Sequence, residues 1–291
     1  MATTITTTLN KRFVAPALPQ PTQDFDVAYF QQFNNVLRLY FNQLDTLLGQ
    51  LVSAINDGSG ITFPYGAFHQ DGTTTLTSAI PNGVSTAAIN VTSTAGFPSS
   101  GSILIDSEVI NYTSKTATTF DGTVTRSVFG TTGASHSIGA AVTEVQGVPS
   151  ASTAGSVSFN ATDYSNGVSV DPTNSANLIF AKAGIYNLQF SAQLLNFTTT
   201  DDNVTFWLSQ NGTDVAYTAG VEEVNAKHGT APGARIAAWN YLLELAAGDY
   251  ITLKWASDTG NTIVGTYPAG TSPVHPVSPA LIFTATFVSA P

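Results

Sequence analysis

The spacing of hydrophobic and polar positions changes twice along this chain. In the stretch "YFQQFNNVLRLYFNQLDTLLGQLVSAI", Phe30, Phe33, Leu37, Tyr40, Leu44, Leu47, Leu51 and Ala54 follow one another at intervals of three and four. That alternation is the a/d seam of a heptad repeat, and it predicts one long helix over residues 25–56. Asp24 can cap its start, and "NDGSG" after Ile55 ends it with turn formers. Val36, Phe41, Leu48 and Ile55 widen the stripe beyond a two-stranded seam. A three-helix core suits such a stripe, as does packing on the rest of the same chain. The plainer reading is an ordinary amphipathic core helix. Position weighs against it, because this is the single long helical pattern and it precedes a chain of β character.

From about residue 80 the period drops to two. Short runs "AAINVTS", "SILIDS", "EVINYTS", "VTRSVFG" and "AAVTEV", punctuated by Gly, Ser and Pro, predict a small β-module over 80–147. "VPSASTAGS" reads as a linker (148–154), and longer strands follow over 155–291. Tyr186, Leu188, Phe190, Ala192 and Leu194 fall on one face of their strand, and Leu281, Phe283, Ala285 and Phe287 on one face of the last. Asn211-Gly212, in "FWLSQNGTDV", reads as a two-residue hairpin turn that puts Phe206 and Leu208 on the inner face and Trp207 on the other. Eight or more antiparallel strands at this spacing argue a sandwich or jelly roll. The fold class expected is therefore mainly β. An extended arm (1–24), with prolines at 16, 19 and 21, precedes the coiled-coil-like helix (25–56). A connector (57–79) leads into the β-module (80–147), and the linker leads into a jelly-roll head (155–291).

Composition narrows the function classes. Charged residues make up only 10% of the chain and hydrophobic ones 43%, so disorder by charge excess is excluded. The formal charge of −10 and the lack of any Lys/Arg cluster argue against nucleic acid and against anionic membrane surfaces. With no cysteine there are no disulfides, zinc thiolates or thiol nucleophiles. The start "MATTITTTLNKRF" has no apolar h-region, and no apolar run is long enough for a membrane span. The Asn-x-Ser/Thr matches at Asn90, Asn111, Asn160, Asn196, Asn203 and Asn211 are accordingly read as chance.

Candidate chemistry is sparse. Asp106 and Glu108 stand two apart and could form an acid pair, but a turn aspartate plus a glutamate satisfied by Arg126 explains them better. Asp201, Asp202, Glu222 and Glu223 are read as loop acids and form the candidate binding surface of the head. They lack the alternation of a calcium loop. His69, His136, His228 and His275 share no ligand spacing, and His136 is expected to be structural. No Gly-x-Ser-x-Gly elbow and no phosphate loop appear. Neither an enzyme, a cofactor nor a metal is expected.

Three stretches resemble known proteins. "AKAGIYNLQFSAQLLN", "VTFWLSQNGTDV", "LLELAAGDYITLKW" and "FTATFV" resemble the jelly roll of the complement globular-head and tumour-necrosis-factor-like families, which share a Gly-x-Tyr strand, an Asn-Gly hairpin and a late Gly-Asp turn, here Gly248-Asp249. "VLRLYFNQLDTLL" is similar to a stretch in virion proteins of marine and cyanobacterial tailed phages. "GFPSSGSILIDSEVINYT" with "RSVFGTTGASHSIGAAV" resembles a small β-unit of phage tail and fibre proteins, with Arg126-Ser127 in place of its usual Arg-Gly. These resemblances imply a homotrimeric virion protein, a fibre or capsid decoration protein assembled in a bacterial cytoplasm. The seam Phe30, Phe33, Leu37, Tyr40, Leu44, Leu47 and Leu51 would hold the trimer, and the arm would bind other virion proteins of capsid or tail. The host cell surface is a further candidate partner, in an alternative reading as a receptor-binding adhesin.

Overall fold

The computed structural model describes residues 27–56, 63–83 and 88–291. The arm (1–24) and the first part of the connector lie outside the described residues. The chain divides into two units, residues 1–63 and residues 64–291. In the first, the heptad stretch is one α-helix, Val27–Asn56. Three- and four-residue spacing brings Tyr29 over Phe33, their rings stacked with centroids 6.2 Å apart.

The second unit is β, built of antiparallel sheets. One eleven-stranded sheet runs through Ala161–Asn166, Tyr65–Gln70, Leu281–Ser289 and Gly184–Asn196, with Gly233–Leu245 also paired to the last of these. A seven-stranded sheet faces it and contains Asn177–Phe180, Tyr250–Ser257, Asp202–Gln210 and Gly220–Val224. The core lies between them. Tyr186, Leu188, Phe190, Ala192 and Leu194 from one sheet meet Val204, Phe206, Leu208, Leu253 and Trp255 from the other, all buried. Phe206 and Trp255 stack at 5.8 Å, nearly parallel at 12°. Strand order and core together give a mainly β chain consistent with a β-sandwich.

The sandwich begins earlier in sequence than its long strands suggest. Tyr65–Gln70, in the stretch read as a connector, pairs with Ala161–Asn166 along its length and meets Leu281 at Gln70. Only Phe68 gives this strand a large inward side chain, between Gly66 and Gln70, so its alternation is faint. The module follows Tyr65–Gln70 and precedes the remaining sandwich strands. Its strands Gly101–Ile105, Glu108–Tyr112 and Ala141–Gly147 enclose their own core of Ile103, Ile105, Ile110, Tyr112, Phe120 and Val142. The same sheet carries it into the sandwich: Val145, Gln146 and Gly147 pair with Gly265, Val264 and Ile263, and the last two of these with Leu194 and Leu195. A second cluster seals the join, with Leu104, Val109 and Val145 against Leu195, Phe197 and Ile263. The segment read as a linker is packed as well, since Val148 belongs to the sandwich core and Ser152 N donates to Ser257 O at 2.8 Å.

The Asn-Gly turn is a two-residue hairpin with both residues at positive φ, 52° and 81°, and Gln210 pairs with Thr213 across it. Its side chain does more than turn. Asn211 Nδ2 donates to Asp249 Oδ1 at 2.7 Å, and Asn211 Oδ1 accepts from Tyr250 N at 2.9 Å. Asp249 Oδ2 also takes Gln210 Nε2 and Ala246 N. The hairpin and the Gly248-Asp249 turn are thus one knot, and the Asn211 bond leads the groups that hold the Asp249 carboxyl below its ordinary value.

Candidate functional site

The helix stripe is the first candidate surface. Not one of the helix's described side chains is buried. Phe33, Leu37, Tyr40, Leu44 and Leu47 are half-buried and Phe30 is exposed, while the side chain of Leu51 lies outside the described residues. Beside the seam, Phe41 is 59% exposed and Leu48 51%. Soluble chains rarely leave a contiguous row of large apolar side chains in water.

A second surface is the outward face of the eleven-stranded sheet. Pairing places Ala238 beside Ser191 and Ile282, Asn240 beside Gln189 and Thr284, and Leu242 beside Asn187 and Thr286. These nine side chains carry no charge, and Ile236 and Leu242 on the Gly233–Leu245 strand are exposed.

With this geometry in view, comparison with known proteins adds little. No protein-family model matches the chain, and no curated protein matches it. Among solved structures, it is similar to the crystal structure of murine APRIL at pH 5.0, at 11% identity and a TM-score of 0.32, over 46% of this chain and 88% of that one.

The loop acids of the head are separated by the structure. Asp201 is exposed and accepts from Ala226 N at 2.7 Å. Asp202 is buried at the start of its strand and takes part in no exposed surface. Its carboxylate accepts from Ser257 Oγ (2.6 Å), Thr262 Oγ1 (2.5 Å) and Thr259 N (3.0 Å). Burial pushes the Asp202 carboxyl up, yet these donors, led by Ser257 and Thr262, hold it below its ordinary 3.8. The signal was in the alternation: Asp202 shares its face with Val204, Phe206 and Leu208, so it points inward. Glu222 and Glu223 are strand residues of Gly220–Val224 rather than loop residues. Glu222 pairs with Arg235 at 3.1 Å and Glu223 is exposed. Exposed Asp201 and Glu223 therefore remain of that candidate surface.

In the module, the acid pair is the centre of an ionic network. Arg126 grips Glu108 with two bonds, Nε to Oε1 at 2.9 Å and Nη2 to Oε2 at 2.5 Å. Arg126 also donates to the carbonyls of Pro81 and Ala134. His136, its ring fully buried, lies between Glu108 Oε2 (2.9 Å) and Asp106 Oδ2 (2.7 Å). Burial pushes Glu108 up, but Arg126, Ala134 N and His136 overcome it and hold the carboxyl at about 2. Every oxygen of Glu108 is engaged, which is an anchoring arrangement. His69 lies between Asp71 (3.3 Å) and Asp163 (3.2 Å), His275 Nδ1 is 2.8 Å from Pro276 O, and the His228 backbone bridges to Ala231. Among the described residues no group of three His, Cys, Asp or Glu could hold a metal, and no helix is long and apolar enough to cross a membrane.

Sequence reasoning passed over Glu144. Its side chain is buried where module meets sandwich, with Asn160 Nδ2 at 2.8 Å from Oε2. A Cβ on Gly72 would lie 2.7 Å from the same oxygen, so only glycine allows this approach. Burial pushes the Glu144 carboxyl up to about 7, outweighing the Asn160 and Gly72 bonds, and the like charge of Asp71 adds to the rise. A carboxyl raised on folding stabilises the chain below its unfolded value of 4.5, and that contribution is lost as pH rises through about 7. Wild type should therefore lose about 2–3 kcal/mol between pH 4.5 and 8 from this group, and Glu144→Gln should lack the slope. Denaturant midpoints measured across that range check it; parallel pH profiles for the two chains would contradict it.

Proposed function

We propose that this chain is a non-enzymatic structural component of a phage virion, a homotrimeric fibre or decoration protein. Residues 1–24 anchor it to other virion proteins, the Val27–Asn56 helix trimerises it, and the jelly-roll heads project outward. The observation that carries the trimer is the unburied leucine row Leu37, Leu44 and Leu47 with Phe41 and Leu48 flanking it. Burying what remains exposed of each seam leucine in a three-helix core contributes a part of the about 1.5–3 kcal/mol of a full burial. The uncharged patch on the outward face of the head sheet, bordered by exposed Glu244, gives the heads a surface that can approach its own copies. The virion setting is supported by the resemblances of the helix and of the module. A non-enzymatic role is supported by the fate of the one candidate acid pair, whose members anchor His136 and Arg126. No cofactor, nucleic acid or membrane insertion enters this reading, and assembly in the bacterial cytoplasm follows from it. A reconstruction of the particle whose genome encodes the chain tests it. Threefold density with outward heads is expected, and a particle lacking the chain would overturn the reading.

One observation favours the second reading, a receptor-binding adhesin whose head loops grip a host glycan or protein. Tyr217 is fully exposed and holds a positive φ of 65°, a conformation that costs an aromatic residue about 1 kcal/mol or more. The turn is locked behind it: Thr218 Oγ1 accepts from Leu208 N and donates to Val215 O, and Thr218 O accepts from Tyr241 OH. A ring presented to solvent from a fixed backbone suits stacking on a sugar or side chain. Tyr217→Ala should keep oligomer and fold and lower binding of the purified protein to host cells severalfold. Unchanged binding would remove this support.

A further inference from the structure

The Asn-Gly pairs of the chain, Asn82-Gly83, Asn166-Gly167 and Asn211-Gly212, share one latent reaction. In it the glycine backbone nitrogen attacks the side-chain amide carbon of the asparagine. A new C–N bond closes a five-membered imide ring, and the amide nitrogen leaves as ammonia. Water then opens the ring at either carbonyl, giving aspartate or isoaspartate in place of asparagine. Glycine favours the attack because no Cβ shields its nitrogen. The ring closes only where the asparagine side chain and the peptide after it can turn towards one another. Tertiary structure therefore decides which pair reacts, and a pair that is held must first open locally.

Two of the pairs are held. The Asn211 amide is engaged at both ends, by Asp249 Oδ1 at 2.7 Å and Tyr250 N at 2.9 Å, and its backbone N–H donates to Tyr250 O at 3.0 Å. Asn166 is in register with Tyr65 in the sheet, and the Gly167 carbonyl accepts from Ala181 N at 2.9 Å. The third pair differs. Asn82 and Gly83 are both exposed, and among the described residues no hydrogen bond engages the Asn82 amide or the Gly83 N–H. No atom lies within 4 Å of where a Gly83 Cβ would stand, and Gly83 holds a φ of 73°. The chain is anchored just before this turn. Ile80 and His136 exchange backbone bonds of 2.9 and 2.8 Å, and Arg126 Nη1 donates to Pro81 O at 2.8 Å. We infer that Asn82 is a site of spontaneous deamidation in the folded chain, while the fold spares Asn166 and Asn211. The product places a carboxylate one residue beyond the carbonyl that holds Arg126. The modification requires no virion setting.

Peptide mapping by mass spectrometry tests this on the full-length chain, held folded at mildly alkaline pH and sampled over weeks. The Asn82 peptide should gain about one mass unit, the exchange of an amide NH2 for a hydroxyl, in aspartate and isoaspartate forms. Asn166 and Asn211 should react at least about tenfold more slowly, because both must open locally first. In denaturant the three should react at similar rates, which separates the effect of the fold from that of the dipeptide. Asn82→Gln, at an exposed position, should keep the fold and remove the modification. Equal rates at the three sites of the folded chain, or an Asn82 that stays intact there while the unfolded chain reacts, would overturn the inference.

Discussion

Replacing Glu108 with alanine should destabilise the chain by about 3–5 kcal/mol, the usual consequence of leaving a buried partner charge uncompensated. Glu108 is completely buried, and its loss would strand Arg126, 12% exposed in its side chain, beside the buried ring of His136. It would also remove the acceptor of Ala134 N and Ser127 N, two backbone donors of the same turn region. The effect should concentrate in the module, whose strands Glu108–Tyr112 and Thr125–Val128 this network ties together. The pH dependence has the opposite sign to that of Glu144. A carboxyl held at about 2 when folded, against 4.5 unfolded, adds stability that is fully present above 4.5 and is lost as pH falls through about 2. Chemical denaturation of Glu108→Ala at neutral pH checks the magnitude, and a loss under about 1 kcal/mol would show the network to be incidental.

Leu44→Asp should dissociate the proposed trimer at micromolar concentrations. Leu44 lies in the middle of the seam, with Tyr40 and Leu47 on either side and an unbroken helix from Val27 to Asn56 through it. Threefold symmetry would bring three new carboxylates together at one level of the helix core. Each would lose its hydration for several kcal/mol without a counter-charge, and each would repel the others. The same substitution in a solvated monomeric helix would cost only a fraction of that, because Asp is merely a weaker helix former than Leu. Sedimentation velocity separates the two cases. A variant that sediments like wild type would show that the seam does not assemble the chain.

Legibility in the sequence followed the strength of each pattern. The helix was readable because eight apolar positions kept one phase, and the long strands because Tyr186 to Leu194 and Leu281 to Ala285 alternate cleanly. Tyr65–Gln70 was not, since its inward row is Gly66, Phe68 and Gln70. The pairing of Glu108 with Arg126 could be guessed from charge; the approach of His136 from 28 residues away could not. Asp202 and Glu144 show a different failure. Each sits in phase with buried apolar neighbours, Asp202 with Val204 and Glu144 with Val142, but an acid invites a surface reading. Their satisfaction depends on Ser257, Thr262 and Asn160, which only the tertiary fold brings near.

The mass of the full-length chain in solution is the most direct test of the proposed assembly. Native mass spectrometry at neutral pH should give three times the 30.4 kDa of one chain. A species at the single-chain mass, persisting as concentration is raised, would contradict it.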